Sequence, residues 1–225
     1  MSKVAVCIAS YNSAKFLPEL LESLENQTFQ NFKIYISYDG SVDNTKDILK
    51  KYNVIICDYE DIVGCGRNKN KVVVRALKDM PAYIQMIDAD DKVLPRFLEA
   101  GAKRLDENDV DWVICWGNLF GGRQGYIHSE IPTLEELLEN NNKLHSWGMY
   151  KSDLLKKYNF SKNLTSGVDW DLWIKLIKNE YKGAIIKEEL YLKRWHDNSI
   201  TNSNKKPHSE LRKEILFLNG FEKKL

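Results

Sequence analysis

The chain has 225 residues, 43% of them hydrophobic and 29% charged, enough to bury a sizeable core. Its 33 basic and 32 acidic residues leave a net charge of +1, which excludes a globally basic nucleic-acid binder and an acidic disordered tail. Twelve glycines and five prolines exclude a collagenous or low-complexity chain.

The first half alternates short apolar runs with longer amphipathic ones. Val4 to Ile8 predicts a buried strand, closed by the polar stretch Ser10-Tyr11-Asn12. Phe16, Leu17, Leu20, Leu21 and Leu24 recur at helical spacing. Phe32 to Ile36 predicts a second strand, ending at Asp39-Gly40-Ser41, with Ser41 or Asp43 placed to cap a helix carrying Ile48 and Leu49. Val54 to Cys57 predicts a third strand and Asn68 to Leu77 a helix. Tyr83 to Ile87 predicts a strand closed by Asp88-Ala89-Asp90-Asp91, then a helix over Val93 to Leu105 and a strand over Val110 to Cys115. This alternation predicts an α/β fold with a doubly wound, mostly parallel sheet flanked by helices. Ligands of such sheets bind at the carboxyl ends of the strands.

The second half is less regular. Gly117 to Gly125 reads as a glycine-rich turn, and Leu134 to Leu138 and Leu154 to Tyr158 as short helices. Asp169 to Lys178 predicts a stronger helix with Leu172, Trp173, Leu176 and Ile177 on one face. Ala184 to Lys187 and Leu190 to Lys193 predict two strands, and Ser209 to Leu225 an amphipathic helix with a basic end. No repeat or linker divides the chain, so one domain is expected, with 1–115 as its first half, 116–203 as its second half and 204–225 as a C-terminal helix. No apolar run approaches the ~18 residues that span a bilayer. None of the four cysteines forms a Cys-x-x-Cys pair, which predicts a reducing, cytoplasmic setting without disulfides or zinc. A peripheral position at the inner membrane surface is compatible with this.

The polar clusters carry the chemistry. Three carboxylates within Asp88 to Asp91 repel one another unless a cation compensates them, and Mg²⁺ or Mn²⁺ held with substrate phosphates would do so. A solvated turn with Asp91 capping the next helix is the plainer alternative. Register with two other polar strand ends favours the metal. Asp39 can accept hydrogen bonds from a nucleobase or ribose. The glycine-rich loop Gly64 to Lys69 opens a helix and could present Arg67 to a nucleotide, but it is not a P-loop. Asp169 and Asp171 start a helix, where they either complement its dipole or supply a general base. His196 follows an apolar strand. Trp116, Tyr126, Trp147 and Tyr150 can stack on a sugar or a base or belong to the core, the core being favoured for Trp116.

In order, these residues resemble the family-two, GT-A-fold glycosyltransferases from about residue 3 to 201. Val4 to Asn12 is similar to the family's opening strand, and Gln27 to Ile34 to its helix-to-strand turn. Tyr38 to Thr45 resembles its Asp-Asp-Gly-Ser-x-Asp-x-Thr stretch, and Arg67-Asn68 its Ala-Arg-Asn element. Asp88 to Asp91 resembles its Asp-x-Asp motif, Asp169 to Trp173 its Glu-Asp base motif, and His196 to Thr201 its His-x-x-Ser element. The resemblance implies nucleotide contacts at Ser10, Tyr11, Asn12, Asp39, Arg67, Asp88, Ala89 and Asp90. It implies Mn²⁺ or Mg²⁺ at Asp91, Asp90 and His196, and Asp169 as base. Weaker acceptor or diphosphate roles fall to Trp147, Trp170 and Arg194. Tyr38 and Val168 depart from the family pattern, as do Lys69, Asn70 and Lys71, which are expected to add phosphate contacts.

The activity so implied is transfer of a sugar from a nucleotide diphosphate sugar, UDP-linked by preference, to an acceptor hydroxyl with inversion. A glycan, a lipid-linked sugar, a protein or a modified nucleic-acid base could be the acceptor. A nucleotidyltransferase, which lacks support from an N-terminal glycine-rich loop here, and a non-catalytic nucleotide-sugar binder are the alternatives.

Overall fold

Val4–Ser10 (β1) is buried on both faces, as the unbroken apolar run requires of a central parallel strand. In the computed structural model, which describes residues 3–59, 64–139, 143–197, 199 and 206–221, it is followed by α1 (Leu17–Glu25), β2 (Phe32–Asp39), α2 (Thr45–Leu49), β3 (Ile55–Tyr59), α3 (Cys65–Leu77) and β4 (Tyr83–Asp88). Next come β5 (Lys92–Val93), α4 (Phe97–Asp106), β6 (Trp112–Gly121), β7 (Gly125–Ile127), α5 (Leu134–Leu138) and β8 (Met149–Lys151). The chain continues through α6 (Ser152–Lys157), α7 (Val168–Lys178), β9 (Gly183–Trp195) and α8 (His208–Leu218).

The strands form one sheet in the order β3-β2-β1-β4-β8-β6-β9-β5, with β7 paired to β6. β3, β2, β1 and β4 are parallel, as the βαβ pattern predicts. The rest is mixed. β8 is antiparallel to both β4 and β6, β6 and β9 are parallel, and β5 is antiparallel to β9. The chain winds from β1 outward to β3, then returns to lay β4 on the other side of β1. The crevice at this reversal is where an open α/β sheet receives its ligand.

Several expectations need correcting. Val93 is not helical; it pairs with Tyr191 in β5, and the helix starts only at Phe97, beyond Pro95. Gly117 to Gly125 is the end of β6 and its hairpin into β7. Gly117 is needed there because a Cβ would lie 2.8 Å from the Tyr191 carbonyl oxygen. The two late strands are one thirteen-residue β9, whose pairing with β6 slips around Trp116. At α2 Asn44 makes no side-chain cap bond; of the two expected caps it is Asp43 that accepts from Thr45 N, the first N–H of the helix, at 3.2 Å, and it also accepts from Ala14 N at 3.0 Å, while Ser41 Oγ accepts from Asn12 N.

The core runs under both halves. On α7, Leu172, Trp173 and Leu176 are buried, and Trp173 packs on Trp112 and Tyr150 at 4.8 and 5.5 Å between ring centres. The basic end at 222–225, residues 198, 200 and 201 of the late His-x-x-Ser stretch, and residues 202–205 after it lie outside the described residues. Among the described residues no helix is long and apolar enough to cross a membrane.

Candidate active site

Because β2, β1 and β4 are parallel neighbours, their carboxyl ends share one edge, with Ser10 opposite Tyr38 and Ala9 opposite Asp88. Short side chains stitch the two leading loops together. Asn12 accepts from Val42 N at 2.9 Å, while its own N–H donates to Ser41 Oγ at 2.8 Å and that of Ser13 to Thr45 Oγ1 at 3.2 Å. Asn12 sits at φ 48°, a conformation Asn tolerates better than most residues. Tyr11 and Arg67 are exposed on this rim, while Ser10 is buried beneath it and its carbonyl accepts from Asn68 Nδ2 at 3.2 Å. Asp39 ends β2 at the same edge; its side chain lies outside the described residues.

The acid turn follows β4. Asp88 Oδ1 lies 3.3 Å from Lys69 Nζ, and Oδ2 accepts from Ser146 Oγ. Burial works against ionisation, but Lys69 and Ser146 hold this carboxyl below its ordinary pKa. Ala89 is buried. Asp90 Oδ2 lies 2.8 Å from His196 Nε2, and the Asp90 carbonyl accepts from Arg194 Nε at 2.8 Å.

Asp91 differs from its neighbours. It is 2% exposed, and its two oxygens accept from the Tyr191 hydroxyl and the Arg194 N–H, both at 2.7 Å. Burial, with Asp90 and Asp88 nearby, pushes its pKa well up. Both oxygens are thus committed to β9, and the geometry disfavours Asp91 as a metal ligand. Asp90 and His196 are better placed: their Oδ2 and Nε2 lie side by side at the strand ends, and if they exchanged that hydrogen bond for a shared divalent ion they would offer it one carboxylate oxygen and one imidazole nitrogen, with further oxygens from a diphosphate. Among the described residues no group of three or more ligating side chains forms.

Asp169 enters from the other half, in the first turn of α7. Gly167 precedes it at φ 68°, the left-handed conformation that favours glycine. Lys69 reaches across from α3 and places Nζ 2.8 and 3.1 Å from the two Asp169 oxygens. Burial raises the Asp169 pKa, Lys69 pulls it down, Asp88 adds to the rise, and the net direction is upward. The Lys69 ammonium keeps its proton because Asp169 and Asp88 outweigh its burial. Asp171 is fully buried, bonded to Lys175 Nζ at 2.5 Å and Asn219 Nδ2 at 2.8 Å, and faces away from this cluster.

Three expected acceptor or diphosphate residues are otherwise engaged. Trp147 is 1% exposed, stacks on Tyr191 at 4.2 Å and donates to the Cys115 carbonyl, so no sugar can lie on it. Trp170 is buried and donates to the Leu137 carbonyl. Arg194 places its guanidinium between the rings of Phe16 and Phe120 and 3.1 Å from Glu19, where it braces the acid turn rather than facing a phosphate. Conversely, Ser146, Tyr191, Lys193 and the inward placement of Lys69 escaped sequence reasoning. Lys193 acts electrostatically on both Asp88 and Asp169. Lys69 was detectable in principle, since it shares the α3 face of Gly66, Val73 and Ala76.

The family model described as "Glycosyl transferase family 2" matches residues 5–160. The uncharacterized glycosyltransferase MJ1057 of Methanocaldococcus jannaschii is 33% identical over 204 residues, covering 83% of this chain and 69% of its own. The poly(ribitol-phosphate) beta-N-acetylglucosaminyltransferase TarS of Staphylococcus aureus is 26% identical over 206 residues, 85% of this chain but 35% of TarS. The crystal structure of S. aureus TarS 1–349 in complex with UDP-GlcNAc superposes with a TM-score of 0.81 at 24% identity, over 96% of this chain and 65% of that one. The strand-end crevice, the length of the family match and the shared architecture lead to one assignment: the chain belongs to glycosyl transferase family 2, on a GT-A-type fold.

Proposed function

We propose that the protein moves a sugar from a UDP-sugar to an acceptor hydroxyl by a single inverting displacement. The observation that carries this is the meeting of Asp169, from the second half, with Asp88, at the strand-end crevice of the first, through one shared lysine. The TarS complexes with UDP-GlcNAc and with UDP support a uridine nucleotide as donor.

The stitched loops at Asn12 and Ser41 frame the nucleotide, with Asp39 at the edge for the base and Asp88 for the ribose. Asp90 and His196 would hold a divalent ion, which when bound supplies positive charge to the departing diphosphate. Asp169 accepts the acceptor hydroxyl's proton as that oxygen attacks the anomeric carbon from the face opposite the leaving group, which inverts the configuration. An upward-shifted carboxylate pKa suits this task, because a stronger base pulls the proton harder.

Calorimetry of UDP with Mn²⁺ and with a chelator, together with UDP release from UDP-GlcNAc in the absence of an acceptor, tests the proposal. Metal-dependent UDP binding and slow release of free sugar are expected. Equal UDP affinity in chelator removes the metal role. Formation of pyrophosphate from a nucleoside triphosphate and a sugar phosphate would replace this reading with nucleotidyl transfer.

A further inference from the structure

Lys69 holds an unusual position for a residue beside a nucleotide crevice. It is 3% exposed, and its ammonium faces the two Asp169 oxygens at 2.8 and 3.1 Å, Asp88 Oδ1 at 3.3 Å and the Phe160 ring at 5.4 Å. An ammonium has three N–H donors. Two carboxylates and an aromatic ring account for its surroundings, so a phosphate could reach it only by breaking the ion pairs.

Nor is Lys69 needed to fasten α3 to the loop that leads to Asp169. Asn70 already does so, donating to the Phe160 carbonyl at 2.8 Å and accepting from Phe160 N at 3.0 Å. Gly66 lets the same loop approach so closely that a Cβ would lie 1.9 Å from the Ser161 carbonyl oxygen. What Lys69 adds is direction. Among the described residues it supplies both hydrogen bonds that the Asp169 carboxylate receives. Without it, a carboxylate at the first turn of α7 would be free to rotate about χ1 and would face Asp88 with no cation between them.

We propose that Lys69 is the positioning residue of the base: it fixes the Asp169 carboxylate relative to the donor-binding end of β4, and contributes to turnover rather than to nucleotide affinity. This role rests on the transferase reading above, with Asp169 as base.

Crystal structures of the wild type and of Lys69→Met, together with UDP release from UDP-GlcNAc in Mn²⁺, test it. In Lys69→Met the Asp169 carboxylate should leave its wild-type rotamer while the Asn70–Phe160 bonds persist. The variant should lower kcat by about 10- to 100-fold, with KM for UDP-GlcNAc and Kd for UDP changed by less than about threefold. Lys69→Arg, which keeps a cation able to donate to both Asp169 oxygens, should recover kcat to within about tenfold of wild type. In an Asp169→Asn background, Lys69→Met should change kcat by less than about twofold, because the group it serves is gone. Loss of UDP affinity at unchanged kcat would make Lys69 a diphosphate contact and overturn the proposal. An Asp169 rotamer unmoved in Lys69→Met would also overturn it. If Lys69→Met does not fold, Lys69→Gln, which keeps an N–H donor without the charge, carries the same comparisons. If the wild type releases no UDP from UDP-GlcNAc and binds none, the transferase reading fails, while the structural comparison still decides what Lys69 does.

Discussion

Asp169 and Asp171 lie two positions apart on α7 and face different surroundings, so their amides should separate chemistry from folding. Asp169→Asn keeps the shape but removes the proton acceptor. Sugar transfer should fall about 100- to 10,000-fold while UDP affinity by calorimetry stays near wild type. Asp171→Asn should retain turnover but lose about 1–3 kcal/mol in urea denaturation, because Lys175 and Asn219 then face a neutral amide. The reverse pattern would place the base at Asp171. His145 gives a separate prediction. Burial, with help from Lys193, depresses its pKa to about 3. A folded value below the unfolded one means that the unfolded chain takes up the proton first. Stability is therefore full above about pH 6.5 and is lost as pH falls toward 3, by about 2 kcal/mol at pH 5. His145→Phe, which preserves a ring on Trp147, should flatten this acid slope in denaturation curves at pH 7 and pH 5.

At the scale of elements, the contact of α3 with the loop at 160–167 leaves no room for a side chain at Gly66. Gly66→Ala forces a methyl group into the Ser161 carbonyl, and backbone has to yield. A loss of about 1–3 kcal/mol in urea is expected, with turnover reduced because the displaced loop leads to Asp169. A melt and a kcat like wild type would show that the loop is soft. The four parallel strands β1 to β4 were legible in the sequence because each is an apolar run long enough to stand apart from the helices around it. β5 and β8 were not, being two and three residues long, below any periodicity. The acid turn was legible as a cluster, yet its members could not be told apart. Which of Asp90 and Asp91 faces the crevice depends on the pairing of β5 with β9, a contact about a hundred positions away in the chain. Trp147 fails for a related reason. A tryptophan that stacks on sugar and one that fills a core are the same letter, and only the stack on Tyr191 and the bond to Cys115 decide between them.

For the molecule as a whole, one sheet runs through both halves without a break, and Trp112, Tyr150 and Trp173 join them beneath it. A single cooperative thermal transition is expected, coincident by far-ultraviolet circular dichroism and by tryptophan fluorescence. Two separated transitions would mean that the halves fold independently. The acid turn also has a mechanical consequence. β4 and β5 lie four places apart in the strand order, about 19 Å in a flat sheet. The chain covers the interval from Asp88 to Lys92 in four residues, which reach at most about 14 Å. The sheet is therefore drawn round until its far edge meets the end of β4, and the turn acts as a drawstring of fixed length. The width of the crevice is set by a count of peptide units before any side chain contributes. Two residues added between Asp91 and Lys92 would slacken it and let His196 drift from Asp90, with every residue of the site still present.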